Sequence, residues 1–138
     1  MPSLLITTAT RERLAQLLGE QLGESPARIY PHGIAGVLEL PAIVFGQPDV
    51  EFGEWGCTDK NVLGIAVVVR DEPTGPIDTI RALDDLWPQV AGALKRVCTD
   101  PTLGGLVDHA DLATADFGSF TVGGRTFPAQ NIIINIYT

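Results

Sequence analysis

The sequence is poor in the residues that most catalytic and metal sites use, with two cysteines and two histidines among 138 residues. Cys57 and Cys98 lie far apart, and neither has another cysteine or a histidine at metal-ligand spacing. Two thiols so placed form neither a disulfide scaffold nor a zinc site. The sequence therefore predicts no metal centre and no cofactor, and we interpret Cys98 as a small core residue at a helix end.

The motifs of the common enzyme classes are also missing. The chain contains no G-x-S-x-G turn, no Walker phosphate loop, no G-x-G-x-x-G after a strand and no H-E-x-x-H. Asp108, His109 and Asp111 form only a weak pattern, because on a strand His109 and Asp111 share one face and Asp108 points to the other. We predict that the protein has no catalytic residues and is not an enzyme. A small α+β enzyme built on these three residues is the alternative.

Clusters of basic residues and long apolar runs are lacking as well. Nine lysines and arginines are scattered among 17 aspartates and glutamates, for a net charge of −8. Binding to a phosphate backbone needs several cationic contacts, so specific DNA binding is not predicted. The longest apolar run, Val62 to Val69, is far shorter than the ~20 residues that span a bilayer. The first ten residues do not resemble a secretory signal, so we expect no membrane partner and folding in the cytoplasm.

The length fits a single domain over residues 1–138. Leucines at helical spacing predict a first helix from Thr10 to Leu22, ended by Gly23. Pro76 fits the first turn of a second helix, whose apolar spacing continues to Val97. The spacing does not change at Pro88, so the sequence predicts one kinked helix.

Apolar segments between turn residues predict five strands, at Ala27–Tyr30, Pro41–Phe45, Val62–Arg70, within Leu106–Phe120, and at Ala129–Tyr137. The third strand lacks polar alternation, which indicates that both of its faces are covered. Gly123-Gly124 predicts a hairpin turn before the last strand. We predict an α+β fold with a mixed, mainly antiparallel sheet, two principal helices on one face, and a hairpin or long loop extension.

The long extension is the first candidate contact region. Gly46 to Lys60 is rich in glycine, proline and acidic residues, and it contains Phe52, Glu54 and Trp55. Long loops in compact domains are often functional, and exposed aromatic residues are typical of protein interfaces. We predict that these three residues contact a partner. The alternative is that Trp55 folds back onto the core.

The last strand is the second candidate contact region. Its alternation places Ile132, Ile134 and Ile136 on one face, and Ile133, Asn135 and Tyr137 on the other. A terminal strand with an open edge invites pairing with another chain. We therefore predict that Ile133, Asn135 and Tyr137 form a subunit contact.

The order of these elements resembles the tail terminator, or tail-completion, proteins of long-tailed, siphovirus-like phages. The resemblance runs from about Thr10 to Tyr137 and includes the strand that begins Pro41-Ala42-Ile43-Val44 and the Val-Gly-Gly hairpin. Its most specific part is Asp-Pro-Thr-Leu-Gly-Gly, residues 100–105, after the second helix. Pro88 in that helix departs from the pattern.

The resemblance implies a virion structural protein, assembled in the host cytoplasm, that forms a hexameric ring on the end of the tail tube. Such a ring stops tube polymerisation and offers the surface to which the head docks. The implied partners are other copies of the chain, the tail tube protein and a head-completion or neck protein, at the head-tail junction. DNA would pass through the lumen without specific binding. The alternatives are a head-completion or neck ring protein and an acidic binding module.

Overall fold

The computed structural model of the protein describes residues 8–23, 27–32, 39–54, 58–70 and 74–138. Within these residues lie two helices, α1 (Thr8–Leu22) and α2 (Pro76–Val97). The strands are β1 (Arg28–Tyr30), β2 (Ala42–Phe45), β3 (Asp49–Glu51), β4 (Lys60–Val68), β5 (His109–Val122) and β6 (Arg125–Tyr137). The predicted α+β class is confirmed. β3 and the start of β4 form a hairpin at Gly46–Lys60, where the sequence predicted a hairpin or a long loop without placing the strand.

The strands form one mixed sheet in the order β1-β2-β4-β6-β5, with β3 also paired to β4. The pair β1–β2 is parallel and the other pairs are antiparallel, so the predicted mainly antiparallel sheet is confirmed. β2 and β3 follow one another along the same edge of β4. Between them, the three residues 46–48 lie opposite the two residues 63–64, which is a β-bulge. The bulge allows the chain to pass Pro48 and still pair with β4.

Both helices pack on one face of the sheet, as predicted. From α1, Leu14 and Leu18 are fully buried, and α2 contributes a longer apolar stripe that includes Leu83 and Leu94. The sheet supplies the facing residues Ile43, Phe45, Leu63, Ile65, Val67, Ile132, Ile134 and Ile136. Alternate residues of β4 and β6 therefore point into one core.

α2 is a single helix across Pro88, and this part of the prediction is confirmed. Pro88 cannot donate to the carbonyl of Asp84. Both residues are exposed, so water can replace that hydrogen bond. One residue further on, the Gln89 side-chain amide donates to the Asp85 carbonyl at 2.8 Å.

The segment after α2 is a hydrogen-bonded loop organised by Asp100. Its carboxylate accepts hydrogen bonds from the Thr102 hydroxyl at 2.7 Å, the Thr102 amide at 3.1 Å and the Gly104 amide at 2.9 Å. These bonds, the hydroxyl first, lower the pKa of Asp100. Leu103 has a φ of 51° and is fully buried, so the loop holds a strained residue in the core.

Replacing Asp100 with Asn should destabilise the protein at neutral pH, because the amide cannot accept all three hydrogen bonds. The pKa of Asp100 is lower in the folded protein, so its contribution is present above the ordinary aspartate pKa. That contribution is lost as pH falls through the folded-state pKa. Denaturant unfolding of both proteins from pH 7 to pH 2 should show a difference that shrinks in acid. A difference independent of pH would contradict this role.

β5 and β6 form a hairpin joined by Gly123 and Gly124, which both have positive φ, as in a type I′ turn. The hairpin extends further than predicted, so β6 begins at Arg125 rather than Ala129. β6 pairs with β4 on one side and β5 on the other. The prediction that the last strand has an open edge is therefore wrong, because the tight turn places β5 at the edge of the sheet.

The two faces of β6 should differ in their sensitivity to mutation. Ile134 is fully buried against the helices, so Ile134→Ala should lower the free energy of unfolding by about 2–5 kcal/mol. The adjacent Ile133 is half-buried on the opposite face, and Ile133→Ala should cost about 1 kcal/mol or less in the isolated subunit. Denaturant unfolding measures both values. Equal costs would contradict the assignment of the two faces.

Candidate protein interface

The sheet face opposite the helices is covered at one end. There, Ala66 and Val68 of β4 belong to a second apolar cluster. The cluster also contains four buried residues of the neighbouring strands, Ala42, Val44, Phe127 and Ala129. Four partly buried residues pack against it: Tyr30, Leu40, Phe120 and Val122. β4 and the residue after it are therefore buried on both faces from Ile65 to Val69, which confirms the predicted two-sided burial for that half.

At the other end, the same sheet face is only half-buried. Its central residues are Val62 and Gly64 of β4, and Ile133, Asn135 and Tyr137 of β6. The register pairs Val62 with Asn135 and Gly64 with Ile133, so these side chains share one face. We call these five residues the open face. The structure thus brings together the three residues predicted on β6 and adds Val62, which the sequence had suggested was covered.

Acidic residues flank the open face on both sides. The register places these carboxylates from β3 and β5 on the same side of the sheet: Asp49, Glu51, Asp111 and Asp116. Glu51 Oε2 lies 3.6 Å from Lys60 Nζ, and Asp111 Oδ2 lies 3.2 Å from His109 Nε2. Both ion pairs are well exposed and add little stability. An uncharged centre with a charged rim is a composition found in protein interfaces.

The segment between β3 and β4 starts at the same end of the sheet as Tyr137. Lys60, the first residue of β4, pairs with Tyr137. One residue earlier, Asp59 and Thr138 exchange two backbone hydrogen bonds, of 2.9 and 3.0 Å. The Asp59 carboxylate also accepts a hydrogen bond from the Gly53 amide at 2.9 Å. The base of this segment is therefore fixed to the sheet.

The predicted contact residues of this segment are exposed where the structure describes them. Phe52 is 75% exposed, and Glu54 is also exposed. Trp55 lies outside the described residues, so its predicted contact role stays a prediction. A Phe side chain this exposed is available to a partner.

The two histidines each contact a carboxylate rather than standing alone. His109 Nε2 lies 3.2 Å from Asp111 Oδ2 on the strand face that they share, and His32 Nε2 lies 3.3 Å from Glu12 Oε1. Asp108 donates its backbone amide to the Tyr137 carbonyl at 2.9 Å. The described part of the chain holds no group of three His, Cys, Asp or Glu side chains suited to a metal. These geometries are those of surface ion pairs.

Cys98 follows α2 as its cap and packs against the main core, half-buried, which confirms its predicted position at a helix end. Burial raises the pKa of its thiol, and the nearby Asp111 carboxylate raises it further. A thiol with a raised pKa is a poor nucleophile at neutral pH. Cys57 lies outside the described residues.

A cleft of about 480 Å³ lies between α2 and the end of β4. Its lining is mostly apolar, with Arg70, Asp85 and Gln89 as its polar side chains, and its remaining residues are Leu40, Pro41, Val69, Ala82 and Leu86. The cleft contains none of the predicted contact residues.

No protein-family model matches the chain, and a search of curated proteins found no match either. No helix of the described residues is long and apolar enough to cross a membrane. The two helices and the mixed sheet make the fold α+β, and the open face is its best-supported candidate interface.

Removing the exposed aromatic side chain of the β3–β4 segment should impair association without unfolding the protein. Phe52→Ser should change the free energy of unfolding by less than about 0.5 kcal/mol, because Phe52 is 75% exposed. Sedimentation should show weaker association with other copies of the chain. Ile77→Ser is a matched control, since Ile77 is 71% exposed on α2. Loss of cooperative melting in Phe52→Ser would show instead that Phe52 belongs to the core.

Proposed function

We propose that the protein is a phage tail terminator, a virion structural protein that forms a ring on the end of the tail tube. One structural observation supports an assembly function most directly. The central strands β4 and β6 are buried on both faces at one end of the sheet, yet their open face is half-exposed at the other.

A second surface over the open face would remove apolar area of Val62, Ile133 and Tyr137 from water. Burial of apolar area contributes roughly 25 cal/mol per Å² before the costs of association are subtracted. Asn135 lies between these residues and can make hydrogen bonds across a contact. The open face therefore has the chemistry of an interface centre.

A closed ring requires that each subunit use two different surfaces, one for each neighbour. In the proposed ring, the open face is one of them, and the acidic rim excludes neighbours that would bring further carboxylates against it. The exposed Phe52 lies in the segment between β3 and β4, which starts at the same end of the sheet as Tyr137. In the proposed ring, this segment extends the contact toward the neighbouring subunit or the tube.

The net charge of −8 supports the proposed passage of DNA through the ring, since an acidic wall repels a phosphate backbone. The hydrogen-bonded loop of residues 100–105 is consistent with the sequence resemblance. Its contacts are internal to the subunit, so it supports a shared fold and not a shared activity.

Charge placed on the open face should stop assembly. Ile133→Asp or Tyr137→Asp would bury an unpaired carboxylate in the contact, which is strongly unfavourable. In a phage carrying the variant gene, we expect tails that exceed normal length and fail to join heads. Electron microscopy of lysates measures both. Tails of normal length that fail to join heads would favour a head-completion or neck protein instead.

The matched control replaces His32, His109, Cys57 and Cys98 together by Ala or Ser. If assembly is the whole function, this variant should keep tail length and head joining near normal. A stability loss of a few kcal/mol is expected, because Cys98 packs against the core. A folded quadruple variant that still forms rings but yields no infectious particles would contradict the proposal, and would direct attention to the His109–Asp111 pair.

A further inference from the structure

The outer edge of the sheet is formed by β5, a strand of 14 residues. Within the described residues, β5 pairs with β6 alone. The two-residue turn makes Val122 and Arg125 a hydrogen-bonded pair. Hydrogen-bonded and non-hydrogen-bonded pairs alternate along the ladder, so every second residue of β5 directs its backbone N–H and C=O groups away from β6. The residues whose backbone N–H and C=O groups point away from β6 are Ala115, Phe117, Ser119 and Thr121.

A β-bulge between Leu112 and Thr114 interrupts β5 near its start, and beyond it the edge lacks the other features that protect free edges. Native proteins block edge strands with lysines, prolines, short length or inward-pointing charges. Residues 113–122 contain no Lys, Arg or Pro, and Asp116 is their one charged residue. Phe117 is 62% exposed on this edge. An edge of this length and composition is a ready template for pairing with another strand.

We infer that, in solution, β5 pairs antiparallel with β5 of a second copy across a two-fold axis. The edge is compatible with itself. Any two-fold axis between Phe117 and Ser119 places Asp116 opposite an uncharged residue, namely Gly118, Phe120 or Val122. Like charges directly opposite one another, which would destabilise the pair, are thereby avoided.

A second copy can pair with the outward groups between Ala115 and Thr121, because both partners present the same groups in the same order. Pairing of this kind continues one sheet across both subunits and keeps the helices of both on the same side. Side chains of Phe117 would pack near Ser119 and Thr121 of the second copy. The open face stays uncovered in this dimer, so the inference is independent of the proposed ring.

The first test is the mass of the purified full-length protein by analytical ultracentrifugation over a concentration series. We expect a monomer–dimer equilibrium. Phe117→Lys should weaken the dimer by at least about tenfold, because a lysine on the edge opposes strand pairing. Thr126→Lys is the matched control, since it adds the same charge at an exposed site one strand further in, and it should keep the dimer.

The second variant tests the backbone contact itself. Ser119→Pro removes an outward N–H and leaves the ladder with β6 intact, where Ser119 already faces Pro128. It should abolish the dimer while circular dichroism shows an unchanged fold and a cooperative melt. The inference holds if either folded variant is monomeric and Thr126→Lys is dimeric.

Two results would overturn it. One is a wild-type protein that is monomeric at every concentration. The same conclusion holds if that monomer uses its β5 edge only to bind a different protein. The other is a dimer whose dissociation constant is unchanged in both Phe117→Lys and Ser119→Pro. An Ile133→Asp variant that remains dimeric would show in addition that the dimer and the proposed ring use different surfaces.

Discussion

The pairing of β6 with a strand on each side is the constraint on which the rest of the structure depends. It places Ile132, Ile134 and Ile136 at the centre of the core beneath the helices. It also places Ile133, Asn135 and Tyr137 at the centre of the sheet face that lies opposite the helices. With β6 inside the sheet, β5 forms its free edge. The open face and the β5 edge are therefore both consequences of one hydrogen-bonding arrangement.

Local patterns in the sequence were sufficient to predict both helices, most of the strands and the two faces of β6. The spacing of leucines predicts α1, the unbroken apolar spacing predicts one α2 across Pro88, and alternation assigns the two faces of β6. These signals depend on residues a few positions apart. They predicted Ile133, Asn135 and Tyr137 as neighbours on one surface, which the register of β4 and β6 confirms.

Long-range pairing could not be predicted in the same way. The apolar run of β4 suggested that both faces of the whole strand are buried. Burial of the second face depends on the neighbouring strands, and it includes Ala66 and Val68 but not Val62. The edge position was assigned to β6 because strand order is not encoded in alternation. Asp49 and Asp111 reach the rim of the open face by pairing with Val62 and Asn135 of the next strand, residues too far along the chain for a local motif to mark them. β3 itself is three residues long and gives too short a pattern to recognise.

The central claim is that the open face becomes a subunit contact, and the labelling rate of a single thiol at its centre tests this most directly. The probe is Asn135→Cys in a chain with Cys57 and Cys98 replaced by Ser, reacted with a maleimide before and after assembly on tail tubes. We predict rapid labelling of the free protein and strong protection in the assembled ring, with a Thr126→Cys control labelled at similar rates in both. Equal labelling of the Asn135→Cys thiol in the free and assembled protein would contradict the claim.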